Sequence, residues 1–147
     1  MSMTSLRVGK RNAFTLVEIL IVVVILGILA AVVVANFTDA TDEARRGTAS
    51  HELDKLRRAV EVYMVRNSNA LPSVVAGDGT WGELVQAGAY LRDPPVNPWV
   101  GEPNARVIVI RDTADVGFQT DYGWIYDDVT GQIWAGGFDA NDDPYAR

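Results

Sequence analysis

From Ile19 to Ala35 the chain carries no charged or strongly polar side chain, and residues 14–17 extend this apolar run. Together they reach the roughly 20 residues that a helix needs to cross the core of a bilayer. A helix apolar on every side is not served by one packing partner, so a buried core helix is the poorest of three explanations. The other two are a single-span anchor and a cleaved secretory signal ending near Ala35. The run exceeds the apolar region of a secretory signal, which is about 7 to 15 residues. Arg7, Lys10 and Arg11 precede it, while Asp39, Asp42 and Glu43 follow it. The positive-inside rule then predicts a cytoplasmic N-terminus and an exported remainder.

One acid interrupts the beginning of this stretch. Glu18 sits in "FTLVEILIVVV", where a carboxylate costs up to about 2.5 to 3.5 kcal/mol if carried to the centre of a membrane helix. No cation lies within the run, and Lys10 and Arg11 are separated from Glu18 by Asn12 and Ala13, about two helical turns away. A disposable segment has no reason to keep such a group. A partner supplied by another molecule is the expectation.

Basic residues, a small residue, and then "FTLVEILIVVVILGILAAV" closely resemble the class III signal and N-terminal helix of type IV pilins and type II secretion pseudopilins. The resemblance covers Lys10 to Phe37 and favours a G-like major pseudopilin. It implies that a membrane peptidase removes residues 1–13 by cutting between Ala13 and Phe14, and that the new Phe14 amine is N-methylated. Ala13 stands where relatives usually have glycine. Residues 14–35 then remain as the transmembrane and assembly helix, and residues 36–147 form the exported domain. Within a filament the Phe14 amine of one subunit meets the Glu18 carboxylate of another, which joins two buried charges into one site. Gly27, with Ala30 and Ala31, supplies small side chains for close helix approach; Gly27 as a mere loosening of the helix is equally compatible.

The resemblance also implies partners and a location. These are further copies of the chain in a helical homopolymer, minor pseudopilins, the prepilin peptidase and an inner-membrane assembly platform. The protein is expected as a single-pass protein of the bacterial inner membrane, its C-terminal domain periplasmic. Nucleic acid is excluded on charge: removing the three leading cations leaves ten basic against 19 acidic side chains, a net charge of −9 from Phe14 onward, where phosphate binding needs a basic face. There is no cysteine, and so neither a disulfide framework nor a thiolate nucleophile.

Beyond Asn36 the apolar pattern becomes one-sided. Phe37, Ala40, Ala44, Leu53, Leu56, Val60 and Met64 recur at helical spacing among charged residues, predicting an amphipathic helix to about Asn67. Ala35 replaces the proline that many relatives carry there, which predicts a more continuous helix. A bend is expected near Gly47. "RNSNALP" ends the helix, "WGELVQAGAYL" suggests a short second one, and "RDPPVNPWVGEPN" with its four prolines must be an ordered loop. "RVIVIRD", "YGWIYD" and "QIWAG" read as strands, the last two joined by a hairpin turn at "DVTG". The expected class is α+β, a pilin-like fold in which a long N-terminal helix packs on an antiparallel sheet of about three strands.

Catalytic chemistry is not legible. His51 is the sole histidine and falls on the polar side of the helix, away from any nucleophile, so the chain is read as a non-enzyme. Trp81, Trp99, Trp124 and Trp134, with Tyr122 and Tyr126, fit a small domain's core better than a sugar-stacking surface. "FDANDDPY" groups Asp139, Asn141, Asp142 and Asp143, oxygen donors of the kind calcium uses, but without an EF-hand's glycine and closing glutamate. The family resemblance raises calcium there as the one cofactor expectation; a solvated acidic tail is the alternative. Three functions follow: a secretion pseudopilin first, then a type IV pilin for adhesion, motility or DNA uptake, and from another class a membrane-anchored ligand-binding domain.

Overall fold

The computed structural model describes residues 14–147, with side chains for all of these but 33–38 and 87. The expected leader, residues 1–13, including Arg7, Lys10, Arg11 and the Ala13 side of the cleavage site, lies outside the described residues. Helix α1 runs Leu16–Arg66 and stays helical through Ala35 and Gly47. The residues fall into two compact units, one ending at Asp39 and the other spanning Ala40–Arg147.

In the second unit α1 buries Ala49, Leu53, Leu56, Ala59 and Val60, a stripe at spacings of three and four that matches the expected face. Ala40 and Ala44, at the start of the same stripe, remain exposed. The helix stops where the sequence turns polar. Ser68 and Asn69 take left-handed backbone angles, and the Asn69 N–H donates to the Met64 carbonyl at 2.8 Å, satisfying a terminal acceptor before Pro72.

The expected helix over "WGELVQAGAYL" is replaced by two 3-10 turns, Gly82–Leu84 and Gln86–Gly88. Trp81, Gly82 and Gly88 all adopt positive φ, which an α-helix cannot accommodate. Trp81 tolerates that conformation with its ring fully buried, edge-on to Trp124 and Tyr126 with centroids 6.5 and 5.8 Å away.

Three short strands complete the unit: β1 Ile108–Ile110, β2 Trp124–Tyr126 and β3 Ile133–Ala135, in the order β1-β2-β3. The β2–β3 hairpin is antiparallel as expected, pairing Ile125 with Trp134. Its turn is closed by the Asp127 carboxylate, which accepts the Val129 N–H at 2.8 Å and the Thr130 hydroxyl. The wholly antiparallel sheet is corrected at β1, which runs parallel to β2 with Ile108 opposite Trp124. Residues 111–123 are long enough to cross over and return the chain in the same direction, which a hairpin turn is not.

That crossover is organised by Asp115. Its side chain is almost wholly buried and accepts hydrogen bonds from Arg111 at 2.6 Å, Gln119 at 2.9 Å, the Gly137 N–H at 2.8 Å and the Tyr122 hydroxyl. Burial alone raises the Asp115 carboxyl, but these donors, Tyr122 foremost, outweigh it and hold the group below its usual value. A depressed folded-state value means that the contribution is complete above the unfolded value and is lost as pH falls through the folded one. Stability should therefore decline below about pH 4. Asp115→Asn should lower stability at neutral pH and flatten that acid limb in denaturant melts; an unchanged acid slope would show that Asp115 does not carry it.

Glycine is required where β2 begins. A side chain at Gly123 would lie 2.2 Å from the Ala105 carbonyl oxygen. The Gly123 and Trp124 N–H groups both donate to the Val107 carbonyl, at 2.9 and 3.0 Å. The segment that follows the proline-rich loop is thus drawn against β2, and Asn97 fixes the loop itself to the sheet. Fully buried, Asn97 donates to the Gly123 and Gly136 carbonyls at 2.9 and 3.0 Å and accepts the Trp99 N–H at 3.0 Å.

Candidate functional site

The site begins at the N-terminal end of α1. Thr15 precedes the helix, and Glu18 stands in its first turn. The Thr15 N–H and hydroxyl donate to Glu18 Oε2 at 2.9 and 3.0 Å, and the Glu18 N–H donates back to Thr15 Oγ1 at 3.2 Å. This reciprocal exchange is a capping box: it satisfies donors that the first helical turn leaves open and sets an acid where the helix dipole favours one. Glu18 is therefore turned back toward Thr15 at the start of the helix. The box supplies hydrogen bonds but no opposite charge.

Further along, Gly27 lies about 13 Å from Glu18 by helical rise, and nothing stands within 4 Å of where its side chain would be. The apolar side chains around it are open to solvent: Phe14, Leu16 and every large apolar residue from there to Val32 are more than half exposed. Among the described residues no helix is long and apolar enough to cross a membrane. Residues 16–32, the part of the apolar run with described side chains, rise about 26 Å as a helix, against a hydrocarbon core of about 30 Å.

The second candidate cluster is the C-terminal turn. Asp139 accepts the Asn141 and Asp143 N–H groups at 2.8 and 2.9 Å, and these bonds, Asp143 foremost, hold its carboxyl below the usual range. Asp142 receives the Arg57 guanidinium in a forked pair at 2.6 and 2.9 Å. Asp143 reaches Arg46 at 3.4 Å. Asp139, Asn141, Asp142 and Asp143 thus share one turn, but they face different partners. No group of three or more acidic or histidine side chains suited to a metal is present among the described residues.

The remaining expectations separate cleanly. His51 is exposed on α1. All four tryptophans and Tyr126 are buried, and Tyr122 is half-buried and hydrogen-bonded to Asp115, so the aromatic residues form core and not a stacking surface. Thr15 was not expected, although its signal is plain in the sequence: threonine three residues before glutamate at the mouth of an apolar run. Asn97 and Asp115 have no comparable local signature, because their partners lie far along the chain.

Residues 9–34 match the family model for the prokaryotic N-terminal methylation motif. The chain is 34% identical over 107 residues to the type II secretion system core protein G of Pseudomonas aeruginosa, an alignment covering 64% of this chain and 71% of the relative. It is 32% identical to the protein of that name from Klebsiella pneumoniae, over 61% and 70% of the two chains. The Aeromonas hydrophila protein of the same name is also 32% identical, over 64% and 71%. No solved structure matches significantly. A methylation motif at the start of a capped apolar helix, an α+β domain after it and this level of identity lead to one conclusion: the chain belongs to the family of type II secretion system core protein G, the major pseudopilins.

Proposed function

We propose that the protein is a non-catalytic structural subunit of the pseudopilus of a type II protein secretion system. One observation carries this: a helix whose large apolar side chains from Phe14 to Val32 are all more than half exposed ends in a carboxylate held at its N-terminus. Burying that surface against lipid, or against copies of itself, is strongly favoured. In the processed protein the Phe14 amine is the cation available at that end. A neighbour's Phe14 amine meeting Glu18 is a head-to-tail contact, and one whose rotation does not close builds an open helical filament and not a ring.

The subunit starts with a cytoplasmic N-terminus, spans the inner membrane once and exposes its C-terminal domain to the periplasm. A prepilin peptidase removes residues 1–13, and the assembly platform and minor pseudopilins receive the processed helix. Gly27, with Ala30 and Ala31, gives neighbouring helices room to approach.

The test is the processed N-terminus. With the full chain expressed in a bacterium that has a prepilin peptidase, mass spectrometry should find a membrane-bound product beginning at Phe14 and carrying one N-methyl group. A chain left uncut, or one released by cleavage near Ala35, would refute the proposal.

A further inference from the structure

The family resemblance raised calcium as an expectation for the C-terminal turn, and the residues present do not fit it. Calcium takes six to eight oxygens at about 2.3 to 2.6 Å. Both Asp142 carboxylate oxygens are held by Arg57. Both Asp139 oxygens are turned inward, one on two backbone N–H groups and the other on the Asn141 amide at 3.4 Å. Asp143 points to Arg46 and is exposed. The turn already has its shape from its own backbone: the Asp139 N–H donates to the Asp143 carbonyl at 2.9 Å, and the Tyr145 N–H to the Gly137 carbonyl at 2.9 Å.

We infer that Arg57 is the cation of this turn, a built-in charge fixed on α1 that closes the C-terminal loop without a metal. The guanidinium is placed for it. Besides its forked pair with Asp142, Arg57 donates through Nε and Nη2 to the Ile133 carbonyl at 3.2 and 2.8 Å. One side chain therefore joins α1, the start of β3 and the terminal turn, which a planar fork of donors can do and an ammonium cannot. A calcium ion would have to displace a cation already seated on its carboxylate.

The chain end continues the same design. Arg147 reaches Asp42 at 3.3 Å, and its guanidinium lies over the rings of Trp99 and Phe118, each 5.8 Å from the ring centre. Asp42, Arg46 and Arg57 on α1 thus each take one charge of the terminal segment. The Arg46–Asp143 pair is too exposed to matter much. Arg57–Asp142, only about a third exposed on each side and hydrogen-bonded further to Ile133, is the pair on which the turn depends.

The experiment is a thermal melt of the detergent-solubilised full chain, which needs no filament and so stands apart from the assembly proposal. Millimolar calcium chloride and EGTA should leave the melting temperature of the parent unchanged. Arg57→Met and Asp142→Asn should each lower it by about 5 °C or more, and Asp142→Asn should cost nothing further in the Arg57→Met background. Should Arg57→Met fail to fold, Arg57→Lys replaces it, with a smaller loss because the fork is gone. A rise of several degrees with calcium that EGTA reverses, or losses that simply add in the double variant, would overturn the inference.

Discussion

Asn97→Ala should lower the melting temperature of the full chain by about 10 °C or more, from a loss of about 3 to 4 kcal/mol. Asn97 is fully buried, and both hydrogen bonds that its side chain donates join segments distant in sequence: the loop to the start of β2 at Gly123, and the loop to the end of β3 at Gly136. Alanine removes two donors and one acceptor at once. It leaves the Gly136 carbonyl and the Trp99 N–H without these partners in a site that is closed to water, where each unmet polar group costs about 1 to 3 kcal/mol. Asn97→Asp separates the contributions. It keeps an acceptor for Trp99 but turns a second oxygen toward the two carbonyls, so it should melt at least as early as alanine. A melt of Asn97→Ala within about 3 °C of the parent would show that the loop holds the sheet by other means.

The strong effect expected at Asn97 also marks what a sequence can and cannot convey. The buried face of α1 was legible because Leu53, Leu56 and Val60 satisfy a local period that only a helix produces. The β2–β3 hairpin was legible from its turn residues, and helix termination from "RNSNALP". The parallel pairing of β1 was not, since it depends on a crossover organised by the Asp115 carboxylate through partners up to 22 residues away. A lone aspartate among many exposed ones carries no sign that it is buried. The second helix failed for a related reason: Trp81 looks like an ordinary helical residue until its ring is drawn between Trp124 and Tyr126, and the backbone takes a positive φ to place it. At the terminal turn the acidic residues were plain and the family resemblance raised calcium, while the structure pairs Asp142 with Arg57, 85 residues earlier. Charge was legible there, and its counterion was not.

Glu18 shows the same division, and its substitution should have the largest functional effect. The sequence exposes an acid at the start of an apolar helix; the structure adds that Thr15 already donates two hydrogen bonds to one of its oxygens through the cap. Two roles therefore compete, and different substitutions separate them. Glu18→Gln keeps an oxygen that can accept from the Thr15 N–H but removes the charge, whereas Thr15→Val removes the hydroxyl and keeps the charge. A cap is worth about 1 kcal/mol. Removing the Glu18 charge would leave a neighbour's Phe14 amine buried and unpaired, at a cost of about 3 to 5 kcal/mol, or roughly two to four orders of magnitude in each subunit contact. Repeated along a filament, a loss of that size abolishes assembly, and the loss of a cap does not. In a bacterium with the complete assembly machinery, Glu18→Ala and Glu18→Gln should both be inserted and cut at Phe14 yet yield no sheared filaments by immunoblot or electron microscopy. Thr15→Val should still assemble, in reduced amount. Normal filaments from Glu18→Gln would assign Glu18 to the cap alone and remove charge pairing from the proposed contact.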